Sequence, residues 1–249
     1  MDEFTVAVPT SEGPMDLHGF VPQAGSAGRI PAVIVLQEAF GVNPHVKRVC
    51  RRVAELGYAA FAPELFHRSG RGATFGYDEF PKVRSILAQL TNERILEDLR
   101  AAYRYVAGMP QVDPGRIAAW GFCMGGWASV FAACELPLAA AISFYGGGMV
   151  RAREGIAFTP IVGRLGEVGC PLLLVYGGKD PSITPEDIGA VRAALSSHGK
   201  PHEVEIYPEG GHGFFCEDRA AYHEASAKAA WTRAAGWLCA RLAQGRAEA

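Results

Sequence analysis

Residues 116–129 read RIAAWGFCMGGWAS, and at their centre Gly121, Phe122, Cys123, Met124, Gly125 and Gly126 frame a cysteine between glycines, just after an apolar run. Such a thiol has three readings: a nucleophile, a redox thiol or a small buried side chain. A strand that turns sharply into a helix needs small residues around the turn, because larger ones would strike the neighbouring strand and helix. Gly121 and Gly125 supply them. The central side chain then stands at a helix N-terminus, where free N–H groups and the dipole favour a thiolate. The backbone N–H of Met124 is placed as one oxyanion donor, with the second expected near Ala39.

Three further polar residues follow apolar runs: Glu38 after AVIVLQ, Asp180 after PLLLVYGGK and His212 after VEIYPEGG. Ligands of an open parallel sheet bind at the carboxyl ends of its strands, so all four residues are expected at one edge. Cys123, Asp180 and His212 follow the chain order nucleophile, acid, histidine. His212 would act as base towards the thiol and as acid towards a leaving group, with Asp180 holding its tautomer. Each residue also has a plainer reading. Asp180 can be an Asp-Pro turn or a cap beside Pro181, Glu38 a loop acid capping the next helix, and Cys123 a structural thiol. Phe40, Arg71, Arg84 and Tyr145 are the candidates for substrate contacts, the arginines only if the loop 64–77 folds over the site. The histidines at 45, 67, 198, 202 and 223 show no metal-ligand spacing, and no metal or cofactor is expected.

The elements that must position these residues read as follows. FTVAVP (4–9) and MDLHGFVP (15–22) form an opening hairpin across Thr-Ser-Glu-Gly-Pro. PAVIVLQ (31–37) is a strand buried on both faces. A helix follows, capped by Asn43 with Pro44 first, striped by Val46, Val49, Val53 and Leu56, and stopped by Gly57. After the strand YAAFAP (58–63) come a glycine-rich loop (64–77) and helices near 78–90 and 91–107. The strand, turn and helix of 116–135 lead to LAAAISFYG (138–146), an irregular stretch (146–169) and CPLLLVYG (170–177). A helix near 185–198, the edge-like strand HEVEIYP (202–208) and a long helix over 219–242 complete the order, with a frayed tail at 244–249. Alternating strands and helices predict an α/β fold, a doubly wound, mostly parallel sheet with helices on both faces. No repeat or linker divides it, so 1–249 is read as a single domain.

The 249 residues are 49% hydrophobic and 20% charged, an ordinary globular balance. A net charge of −2 points to neither nucleic acid nor a membrane surface as partner. No window reaches the roughly 18 apolar residues of a spanning helix, and the start MDEFTVAVPT lacks a basic, then apolar leader, so a cytoplasmic location is expected. The cysteines at 50, 123, 134, 170, 216 and 239 form no C-x-x-C pair, which argues against a zinc or thioredoxin-like site.

Four stretches together carry a resemblance: Gln37–Asn43 (QEAFGVN), Gly121–Gly126 (GFCMGG), Tyr176–Asp180 (YGGKD) and His212–Phe215 (HGFF). The chain resembles the dienelactone hydrolase (carboxymethylenebutenolidase) family of the α/β-hydrolase superfamily. The resemblance implies an α/β-hydrolase fold, Cys123, Asp180 and His212 as a triad, and Glu38 as the carboxylate paired with the resting thiol. It implies that a substrate carboxylate releases the thiol from Glu38 towards the histidine. It departs at Cys216, where the family carries a carboxylate-binding arginine four residues after the histidine. Arg71 and Arg84 are candidates for the family's second, mid-chain arginine. The implied activity is hydrolysis of a small ester or lactone through a thioester, by a monomer or weak homo-oligomer. The competing readings are a thiol redox protein using Cys216 as resolving cysteine, and a non-catalytic ligand-binding protein on the same fold.

Overall fold

The computed structural model describes residues 1–23 and 28–244. The expected tail therefore falls, from residue 245 onward, outside the described residues. The hairpin is β1 (Asp2–Thr10) and β2 (Gly13–Val21), followed by β3 (Ile30–Leu36), α1 (Pro44–Glu55) and β4 (Ala59–Pro63). Next come α2 (Phe80–Leu87), α3 (Asn92–Ala107), β5 (Val112–Phe122), α4 (Met124–Glu135) and β6 (Ala140–Phe144). The chain continues as β7 (Leu172–Gly177), α5 (Pro185–Ser197), β8 (His202–Tyr207) and α6 (Glu224–Gln244). The strands form one sheet in the order β1-β2-β4-β3-β5-β6-β7-β8. β2 runs antiparallel to β1 and β4, and every later pair is parallel.

Local chemistry explains the elements. The Asn43 side chain accepts from Val46 N at 3.1 Å, and α1 buries Val46, Val49 and Val53. Thr91 caps α3, and Thr184 forms a reciprocal capping box with Asp187 on α5. β4, β6 and β7 are buried throughout, as parallel strands covered on both faces should be, whereas β8 leaves Ile206 47% exposed at the sheet edge. One face carries α1 and α6, joined by Arg52 lying 3.7 Å from the Trp231 ring centroid. The other carries α3 and α4, which touch each other, and α5, which meets α4 through the turn at Val162–Glu167.

Two boundaries differ from the sequence reading. β5 begins at Val112 rather than near 116, because Val112 already pairs with Ile30 ahead of an irregularity in register. α6 starts at Glu224 rather than near 219. Consecutive turns closed by Arg219 N to Cys216 O (3.1 Å) and Tyr222 N to Arg219 O (3.0 Å) replace its expected first turn. The decisive feature for function is that β3 is followed in sequence by β4 on one side and paired with β5 on the other. That reversal opens a crevice at the carboxyl ends of β3 and β5, where Glu38 and Cys123 emerge.

Candidate active site

Cys123 lies at the junction of β5 and α4 with φ 55° and ψ −116°, a left-handed backbone that a non-glycine residue rarely adopts. The glycines around it are sterically required. A Cβ on Gly121 would overlap Gly125 O, one on Gly125 would overlap Leu36 O, and one on Gly126 would lie 2.7 Å from Phe144 O. The sharp turn lifts the thiol away from the sheet towards the loop after β8. There His212 Nε2 lies 3.1 Å from Cys123 Sγ, while its Nδ1 lies 2.7 Å from Asp180 Oδ2.

Asp180 stands in the turn after β7. Its Oδ1 accepts from Ser182 N (2.8 Å) and Ser182 Oγ (2.7 Å), which leaves Oδ2 directed at the imidazole. Burial opposes ionisation of Asp180, but the bonds from His212 and Ser182 outweigh it and hold the carboxyl below its ordinary range. Burial likewise opposes a charged His212. The facing Cys123 sulfur and the Asp180 carboxylate outweigh it and push the imidazole up to about 10.

Glu38 is buried beside this row, 1% exposed. Its Oε1 meets Arg219 Nη1 at 3.3 Å, and its Oε2 has no hydrogen-bond partner. Burial raises its pKa, countered in part by Arg219 and His212. The thiol faces His212 and the carboxylate faces Arg219, so the Glu38–thiol pairing implied by the resemblance is not the arrangement present. Arg219 escaped the sequence reading because it lies seven residues after His212 rather than four. The turns of 216–223 bring it back over the site, with its guanidinium carbon 5.6 Å from the Phe40 ring centroid and 5.8 Å from that of Tyr77. A Cβ on Gly213 (φ +82°) would overlap the guanidinium, so this glycine makes room for it. The only sequence signal was an arginine in the same GHGFFCEDR stretch.

A cavity of about 220 Å³ opens onto the thiol, lined by Ala39, Phe80, Leu87, Cys123, Met124, Gly147, Arg153, Ile156, Phe158, Ser182 and His212. Ala39 and Met124, the expected oxyanion donors, line the same cavity as the thiol. The four candidates for substrate contact do not line it. Phe40 is buried against Tyr77, with ring centroids 4.7 Å apart. Tyr145 is fully buried with its ring 5.3 Å from that of His212 and its hydroxyl unpaired. Arg71 is drawn away by Asp16 on β2, to which it donates at 3.1 Å from Nε. Arg84 on α2 donates to Glu154 O, on the loop between β6 and β7, at 3.2 Å. The loop 64–77 packs on Phe40 through a backbone bond from Phe75 N to Phe40 O (3.1 Å), and α2 rather than this loop lines the cavity, through Phe80 and Leu87. Cys216 Sγ is buried, 3.0 Å from Tyr77 Oη, and burial with nearby Glu38 pushes its thiol up to about 11. Among the described residues no group of histidine, cysteine and carboxylate side chains could hold a metal ion, and no helix is long and apolar enough to cross a membrane.

This sheet order, with a strained turn after β5 and acid and histidine on the loops after β7 and β8, defines an α/β-hydrolase fold. Residues 17–242 match the dienelactone hydrolase family model. The chain is 35% identical over 222 residues to a carboxymethylenebutenolidase-like protein of Synechocystis, covering 88% of this chain and 89% of that one. It is 36% identical over 217 residues to a counterpart in Escherichia coli, covering 86% and 78%. A dienelactone hydrolase-like crystal structure from Klebsiella pneumoniae superposes with a TM-score of 0.86 at 31% identity, covering 96% and 98%. The chain belongs to the dienelactone hydrolase family, whose members hydrolyse ester or lactone bonds.

Proposed function

We propose that the protein hydrolyses small esters or lactones with Cys123 as nucleophile, through a thioester acyl-enzyme. The observation that carries this reading is the continuous row from Cys123 Sγ to His212 Nε2 (3.1 Å) and from His212 Nδ1 to Asp180 Oδ2 (2.7 Å), set on a strained turn. The thiol proton passes to His212, where the facing sulfur and Asp180 favour the imidazolium, and the sulfur then attacks the carbonyl carbon as a thiolate. The carbonyl oxygen gathers charge beside the backbone N–H groups of Met124 and Ala39, and His212 returns its proton to the leaving alkoxide. Water, deprotonated by the same imidazole, then cleaves the thioester. Glu38 and Arg219, paired at 3.3 Å beside this row, tune its surroundings. The carboxymethylenebutenolidase-like relatives support a lactone among the substrates.

The test is turnover of a short-chain 4-nitrophenyl ester by the folded protein and by Cys123→Ala. Turnover is expected to fall by about three orders of magnitude or more, and a folded variant that hydrolyses the ester at the original rate sinks the reading.

A further inference from the structure

Two cavities meet at Arg153, on the loop between β6 and β7. One is the cavity that holds the thiol; the other, of about 240 Å³, lies between this loop and the start of α5. Gly147, Arg153 and Ser182 belong to the walls of both. The guanidinium lies against Gly147, where a Cβ would overlap Nη2, and the stem of the side chain passes Gly148. Its Nη2 donates to Ser182 O at 2.6 Å, the carbonyl of the residue that also binds Asp180.

Four other arginines around the site face carboxylates. Arg219 faces Glu38, Arg71 faces Asp16, and Arg84 faces Glu154. Arg151, which lines the second cavity, pairs with Asp187 at 2.8 Å, so the one carboxylate in that wall is taken. Among the described residues no carboxylate pairs with Arg153. A guanidinium has five N–H donors in a planar fork, and a single backbone carbonyl leaves most of them unused. The remaining walls around the thiol are apolar: Phe80, Leu87, Met124, Ile156 and Phe158. Such surroundings strengthen the pull of an uncompensated cation on an incoming anion.

We propose that Arg153 is the specificity-determining residue of this site, binding a carboxylate that the substrate carries near its scissile carbonyl. The inference rests on the hydrolase reading above. It assigns recognition to the loop after β6, rather than to positions 71, 84 or 216.

The experiment compares kcat/KM for two matched pairs of esters in the full-length protein. One pair places the charge in the acyl part, 4-nitrophenyl hemiglutarate against 4-nitrophenyl valerate. The other places it in the leaving group, 3-acetoxybenzoate against 3-acetoxybenzamide. In the wild type at least one charged ester is expected to be preferred. Arg153→Met should shrink that preference by about tenfold or more, Arg153→Lys should restore part of it, and Arg71→Met should leave it unchanged. Charge preference that survives Arg153→Met in both pairs overturns the proposal, as does an equal loss on charged and neutral esters. A readout independent of turnover is the rate of Cys123 labelling by iodoacetate relative to iodoacetamide. That ratio should fall in Arg153→Met, and an unchanged ratio counts against the assignment. Failure of the hydrolase reading looks different: no ester of the four is cleaved, or cleavage persists in Cys123→Ala.

Discussion

At the scale of single residues, the site is a set of charges that hold one another in place. His212 owes its elevated pKa of about 10 to the Cys123 sulfur and Asp180, against the pull of burial. Because that value lies above the ordinary 6.5, the pairing stabilises the fold fully below about pH 6.5 and loses its contribution as pH rises through about 10. In Cys123→Ala the sulfur's share disappears, so the His212 midpoint should drop below 10 when followed by imidazole NMR. A midpoint left near its original value would show that Asp180 alone sets it. Cys216 is a poor resolving partner for a redox cycle, since Tyr77 engages its sulfur and burial keeps it protonated. The legible part of the site ended at groups whose neighbours in sequence announce them. Cys123 stood in its glycines and His212 in Gly-Gly-His-Gly, whereas nothing adjacent to Arg153 or Arg219 marked either one.

Among the elements, the tight join of β5 to α4 is what presents the thiol. Gly125 packs so close to the end of β3 that a methyl group would overlap the Leu36 carbonyl. Gly125→Ala must therefore push α4 away from β3, and a cost of about 2–3 kcal/mol in urea denaturation is expected, as for overpacking elsewhere. Unchanged stability would mean that the join is looser than its geometry indicates. The strand and helix order was readable because its signals are local: Asn43 before Pro44, Thr91, the Thr184 box and the unbroken apolar runs. The start of α6 was not, because residues 217–223 have enough polar and small residues to pass for a helical turn while tertiary bonds such as His223 N to Phe214 O (3.0 Å) hold them in turns.

For the molecule as a whole, an aromatic column ties the helical layer to the site. Arg52 lies over Trp231, which stacks on Trp120 at 5.2 Å, and Trp120 stacks on Phe122 at 6.2 Å beside the turn at Cys123. Phe122 in turn stacks on Phe215 at 5.4 Å, three residues from His212. Trp231→Ala should cost about 3 kcal/mol, read as a lower urea midpoint, because the cavity it leaves lies between α6 and the sheet. A loss well under 1 kcal/mol would show that α1 and α6 are held by other contacts.

The sequence by itself determined the sheet, the glycine-framed turn at Cys123 and the order of Cys123, Asp180 and His212, since strand periodicity, glycine frames and caps act over a few residues. Only the tertiary structure decided which charges meet. Glu38 and Arg219 are 181 positions apart, and Cys123 and His212 are 89 apart. Arg71 and Arg84 were equally eligible by residue type, but Asp16 and Glu154 claim them across the fold. An ion pair depends on distance and burial rather than on neighbours in the chain, and those are fixed only when the loops after β4, β6 and β8 close on one another.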